Sequence, residues 1–67
     1  MFEIVVNGDP HRVTEGQTLL DLLRVLELDP ERVAIELDRR IVKKPQWSGT
    51  VLQPGARLEI VQFVGGG

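Results

Sequence analysis

The residues best suited to chemistry in this chain are its last four, Val64-Gly65-Gly66-Gly67. A C-terminal carboxylate has a reference pKa of about 3.3–3.7, so at neutral pH it is an anion with neither electrophilicity nor a leaving group. To react it must be activated, and glycines suit that need. An enzyme has to surround the last carboxylate closely, and a β-carbon would obstruct a narrow channel or limit the backbone angles available in it. Three extended residues reach at most about 10–11 Å, at roughly 3.3–3.6 Å each, enough to enter a cleft while the domain stays outside. By themselves, three glycines would also suit a linker or a frayed end.

No rival constellation competes with the tail. His11 stands alone, without cysteine or a second histidine, and reads as a surface strand residue, not a metal ligand or general base. There is no Ser-His-Asp arrangement, phosphate-binding glycine loop or acid–base pair, so the chain carries no catalytic or nucleotide-binding motif of its own. The absence of cysteine also excludes a thiolate nucleophile and a disulfide framework. With 67 residues the chain has room for one hydrophobic core, and 42% hydrophobic with 27% charged residues is the balance of a folded globular chain. So small a core leaves little to spare for a buried active site, which disfavours an independent enzyme. A formal net charge of −2 offers no basic field for nucleic acid. No apolar run approaches the roughly 20 residues that cross a bilayer, and no cleavable leader is evident. A cytoplasmic monomer, bound to neither nucleic acid nor membrane, is expected.

The elements that must carry the tail can be read in order. Phe2 to Asn7 is a strand, Asn7-Gly8-Asp9-Pro10 a hairpin turn and His11 to Thr14 the returning strand. Thr18 and Asp21 form a capping pair that starts a helix, with Leu19, Leu22, Leu23 and Leu26 as its apolar stripe, widened by Leu20 and Val25. Asp29-Pro30 is expected to stop it. Val33 to Asp38 alternates as a half-buried strand, Arg39 to Val42 turns into a short edge strand, and Trp47 to Leu52 is an irregular connection. Pro54-Gly55 is a turn, and Arg57 to Val64 forms the last strand. One helix over one face of a mixed sheet is an α+β arrangement.

At this point the chain resembles the ThiS family of sulfur carriers in thiamin biosynthesis. The resemblance rests on Val6-Asn7-Gly8, on Asp29 through Ala34, on Trp47 with Thr50-Val51-Leu52, and above all on Leu58-Glu59-Ile60-Val61 through Gly67. One departure is Ala56, where an acidic residue often follows the turn glycine; only local turn bonding should change. The resemblance implies a ubiquitin-like β-grasp fold with a four- to five-stranded mixed sheet and one helix packed on one face, a domain over 1–64 and a flexible glycine tail over 65–67. It implies that a ThiF-like enzyme uses ATP to adenylate Gly67, that a persulfide donor or sulfurtransferase converts the adenylate to a thiocarboxylate, and that ThiG, the thiazole synthase, receives the sulfur on an intermediate derived from deoxyxylulose phosphate. The carrier itself binds no cofactor. Other readings keep the tail but change its destination, to molybdopterin or to ubiquitin-like attachment, or make the chain an interaction module without tail chemistry. The Pro-Pro-Val-Ser-Gly-Gly-like finish of the MoaD type is absent.

Gly65 and Gly66 then provide passage, and docking should lie upstream. If Leu58 and Ile60 face the helix, Val61 and Phe63 face outward, and the implied parallel pairing of first and last strands sets Val5 beside them. With Ala34 on the other neighbouring strand and Val64 at the root of the tail, these residues make an apolar partner-binding patch on the open face. Alternatively, Val61 and Phe63 pack under the segment containing Trp47. Trp47 itself reads as a cap on the core. Arg39, Arg40, Lys43 and Lys44 read as a solvated edge hairpin.

Overall fold

A computed structural model describes residues 1–64. Five strands form one sheet in the order β2-β1-β5-β3-β4, with β1 Phe2–Val6, β2 Asp9–Val13, β3 Val33–Leu37, β4 Arg40–Val42 and β5 Arg57–Gln62. Helix α1, Leu19–Val25, packs on one face. The first and last strands run parallel at the centre and all other pairings are antiparallel. This is the mixed β-grasp sheet that the family resemblance implies, at the five-stranded end of the range.

Period-two burial explains which side is covered. Ile4 and Val6 on β1, Val33 and Ile35 on β3, and Leu58 and Ile60 on β5 are all buried, and they meet Leu19, Leu22 and Leu23 of α1. Trp47, from a 3-10 segment over Lys44–Gly49, closes this core and donates its indole N–H to the Val42 carbonyl at 2.8 Å. The Pro54-Gly55 turn sets Ala56 in the same core, so the residue after the turn glycine packs as well as turns.

The helix begins where the capping pair places it. Thr18 Oγ1 accepts from the Asp21 N–H at 3.2 Å and an Asp21 carboxylate oxygen accepts from the Thr18 N–H at 3.0 Å. The Thr18 backbone N–H is the largest influence holding the Asp21 carboxyl below its usual range, followed by the Thr18 hydroxyl. The end comes earlier than Asp29-Pro30. Leu26 is the C-cap and Glu27 adopts φ +58, so that Glu27 N–H reaches the Arg24 carbonyl and Leu28 N–H reaches the Leu23 carbonyl at 2.9 Å. Those are the two bonds of a Schellman motif, with glutamate where glycine usually stands. Leu28 thereby turns back onto the core, whereas Val25, on the flank of the stripe, stays 66% exposed.

Both hairpins use two-residue turns with positive φ at each central residue: Asn7 and Gly8 between β1 and β2, Asp38 and Arg39 between β3 and β4. The first turn is so tight that β2 starts at Asp9 and includes Pro10, which the edge position tolerates. The second turn has arginine at φ +70, a position that favours glycine. Replacing either misfit residue, Glu27→Gly or Arg39→Gly, should raise stability by about 0.5–1 kcal/mol, the left-handed cost less glycine's entropy. Thermal melts should show a Tm higher by roughly 2–8 °C in each case.

Candidate functional site

The site is the far end of β5, from which the chain leaves the sheet, together with the open face around it. On its β3 edge, β5 is paired from Leu58 opposite Leu37 to Gln62 opposite Val33. One further bond follows: Phe63 N–H donates to the Arg32 carbonyl at 2.7 Å. Regular strand therefore ends at Gln62, two residues before the expected Val64, while the backbone remains tied to the sheet through Phe63. That carbonyl is itself held. Arg32 closes a 3-10 turn over Pro30–Arg32, where the Asp29 carboxylate accepts from the Glu31 N–H and the Asp29 carbonyl accepts from the Arg32 N–H.

The β1 edge of β5 is held differently. Val5 N–H donates to the Ala56 carbonyl at 2.9 Å and Asn7 N–H to the Leu58 carbonyl at 2.8 Å. Beyond that the main chain turns away at Asn7, but its side chain stays. Asn7 Oδ1 accepts from the Ile60 N–H at 2.7 Å, and Asn7 Nδ2 donates to the Ile60 carbonyl at 3.1 Å. In the sequence Asn7 reads only as a turn former; nothing in its local spacing shows that its amide reaches a strand 53 residues away.

On the open face, Ala34 and Val61 are direct cross-strand partners, and Phe63 follows two residues on. Val61 is 57% exposed, Phe63 53% and Val64 93%, and Ala34 is exposed as well. The segment containing Trp47 does not cover them, since Trp47 lies in the core beside α1. Val5 is not part of this cluster. It is half-buried and pairs with Arg57, four residues before Val61, a separation of about 13 Å along the strand. The reason is the turn at Asn7-Gly8, which ends β1 at Val6 and leaves it beside only the first half of β5. Between Val5 and Val61 lie the carboxylates of Glu59 and its cross-strand partner Glu36. The expected single patch is thus an apolar cluster at the exit of β5 and a separate Val5, divided by charge.

Gly65, Gly66 and Gly67 lie outside the described residues. Among the described residues no group of His, Cys, Asp and Glu side chains could hold a metal ion, and no helix is long and apolar enough to cross a membrane. His11 pairs with Ile4 and lines a small cleft with Leu26 and Leu28, half-buried at its rim. Of the basic cluster, Lys44 pairs with Glu31, and all four side chains are exposed along the β4 edge and its turns.

The sequence matches a model of the ThiS family over residues 4–67. A thiazole synthase of Magnetococcus marinus is 40% identical over 65 residues, which cover 97% of this chain and 20% of the relative. The sulfur carrier protein ThiS of Escherichia coli is 28% identical over 65 residues, covering 97% of this chain and 98% of the relative. The crystal structure of the thiamine biosynthesis protein ThiS from Geobacter metallireducens superposes with a TM-score of 0.83 at 29% identity, covering 98% of this chain and all of that one. The chain spans only a fifth of the length of the thiazole synthases it matches.

Proposed function

This chain belongs to the ThiS family, and from that premise we propose that it is a sulfur carrier for thiamin biosynthesis, bearing sulfur as a thiocarboxylate on Gly67 and giving it to a thiazole synthase. The observation that carries this reading is the end of β5: a tethered, apolar, exposed exit at Val61, Phe63 and Val64 that leads directly into Gly65-Gly66-Gly67. Two relatives that are thiazole synthases contain a segment similar to this chain, which supports that enzyme as the recipient.

The chemistry follows from the carboxylate. A ThiF-like enzyme transfers the adenylyl group of ATP to a Gly67 oxygen, releasing pyrophosphate and making the carbonyl carbon electrophilic. A persulfide on a sulfurtransferase or on the activating enzyme attacks that carbon and AMP leaves. A reductant cleaves the sulfur–sulfur bond of the resulting acyl disulfide, which leaves the thiocarboxylate on Gly67. Its sulfur is then a nucleophile mounted on a mobile carrier. This chain supplies the acceptor carbon and the surface by which enzymes hold it. The test is intact-protein mass after incubation with ATP, the activating enzyme and a sulfur donor. A gain of about 16 Da, one oxygen exchanged for sulfur, is expected, and an unchanged mass would count against the reading.

The apolar cluster of Ala34, Val61, Phe63 and Val64 is the docking surface for these enzymes, with Val5 a separate contact beyond the carboxylates. Phe63→Ala isolates it, because the tether uses the Phe63 backbone and survives the change. Stability should stay within about 0.5 kcal/mol of wild type, as for other exposed positions. Binding to the activating enzyme should weaken about tenfold or more, the loss typical of an aromatic anchor. Calorimetric titration beside a thermal melt separates the two effects.

A further inference from the structure

The side chain of Asn7 occupies the place that the next rung of β1 would hold. β1 ends at Val6, and the turn carries the Asn7 main chain off the β5 edge at φ +50. Its amide then makes both ladder bonds to Ile60, accepting from the N–H at 2.7 Å and donating to the carbonyl at 3.1 Å. Few side chains of this length offer one donor and one acceptor spaced to mate with a strand's N–H and C=O; aspartate lacks the donor and glycine both. A two-residue turn of this type needs residues that accept positive φ, a requirement that asparagine and glycine both meet at the first position. What asparagine adds to the turn is the pair of bonds to Ile60.

The consequence falls on the exit of β5. Through Asn7 the strand is bonded on both edges as far as Ile60, and beyond it on the β3 edge alone, through Phe63. Remove the amide and double-edged support stops at Leu58, so the segment Glu59 to Phe63 hangs from one neighbour. Resting on the sulfur-carrier reading, we propose that Asn7 is a positioning residue for the reaction at Gly67, fixing the direction in which β5 delivers the tail. It touches no reacting atom. Its effect is on where the Gly67 carboxylate lies once the open face has docked, and a misplacement of about 1 Å in a reacting group can cost on the order of a hundredfold in rate.

Asn7→Gly tests this cleanly, since glycine keeps the φ of the turn and removes both bonds. Asn7→Asp is the companion: it keeps the acceptor for the Ile60 N–H and sets a second oxygen against the Ile60 carbonyl. Thiocarboxylate formation is followed by intact mass with the activating enzyme, ATP and a sulfur donor, and amide exchange is followed at Ile60. Asn7→Gly should lower kcat by about tenfold or more, leave KM within about twofold and speed exchange at Ile60; Asn7→Asp, which turns the donor side of the contact repulsive, should lower kcat by at least as much. Wild-type rates in both variants, or a rise in KM with kcat unchanged, would overturn the positioning role. A wild-type chain that gains no sulfur would instead overturn the carrier reading on which it rests.

Discussion

Deleting Gly67 should abolish sulfur loading outright while leaving the fold intact. The shortened chain still ends in a carboxylate, but that carboxylate starts one residue, about 3.3–3.6 Å, nearer the domain. Adenylation needs the reacting atoms within about 3–3.5 Å of one another, so a deficit of that size takes the carboxylate out of reach of the attacking groups instead of merely slowing the step. The expected loss is therefore at least a thousandfold. The hydrogen bonds and core contacts described above are made among residues 1–64, so the melting curve should superimpose on that of the full chain. Intact mass read beside a thermal melt would show both results, and normal loading of the shortened chain would remove Gly67 from the chemistry. A bulkier companion, Gly66→Val, should be nearly as damaging by obstruction, with the length preserved.

The second large effect concerns the platform. Leu23 is fully buried in the centre of the helix stripe, and Leu→Ala at such a site costs about 2–5 kcal/mol through lost transfer energy and the cavity left behind. A chain of 67 residues has a total stability of only about 3–10 kcal/mol, at roughly 0.05–0.15 kcal/mol per residue. One such substitution therefore removes a large part of the whole. Leu23→Ala should lower Tm by roughly 12–24 °C for a loss of about 3 kcal/mol, and should leave a measurable unfolded fraction at physiological temperature. Val61→Ala is the control from the opposite face; being 57% exposed, it should change stability by no more than about 0.5 kcal/mol. Urea titration followed by circular dichroism ranks the two. Equal losses from both would mean that the open face is covered in solution.

Those contrasts show which parts of the structure were legible in the residues. The capping pair Thr18 and Asp21, the Asn7-Gly8 turn and the period-two burial of β3 and β5 are local patterns, and each folds as its sequence dictates. The early end of α1 was hidden because the left-handed residue that terminates it is Glu27, where the pattern calls for glycine. The place of Val5 was hidden for a different reason. Alternation tells which face a residue takes, but the register of two parallel strands far apart in sequence depends on where the Asn7 turn ends β1, and that is a tertiary fact. The contact of Asn7 with Ile60 is tertiary in the same sense.

The site divides along the same line. Exposure of Val61 and Phe63 follows from strand alternation, and the sheet leaves both open. The role proposed for Gly67 rests on family resemblance joined to the chemistry of a carboxylate, since three glycines have no side chains from which a role could be read. The structure adds the tether between Phe63 and Arg32, which sets the root of the arm at Val64. Four residues, Val64 to Gly67, then span up to about 13–14 Å, compared with the 10–11 Å of the glycines alone.

The most direct test of sulfur carriage follows the atom itself. Carrier loaded with isotopically labelled sulfur is incubated with a thiazole synthase and its substrates, and both the product and the carrier are weighed. The account predicts label in the thiazole, with the carrier returning to its unloaded mass as sulfur is replaced by oxygen on Gly67. Unlabelled thiazole, formed while the thiocarboxylate persists on the carrier, would contradict it.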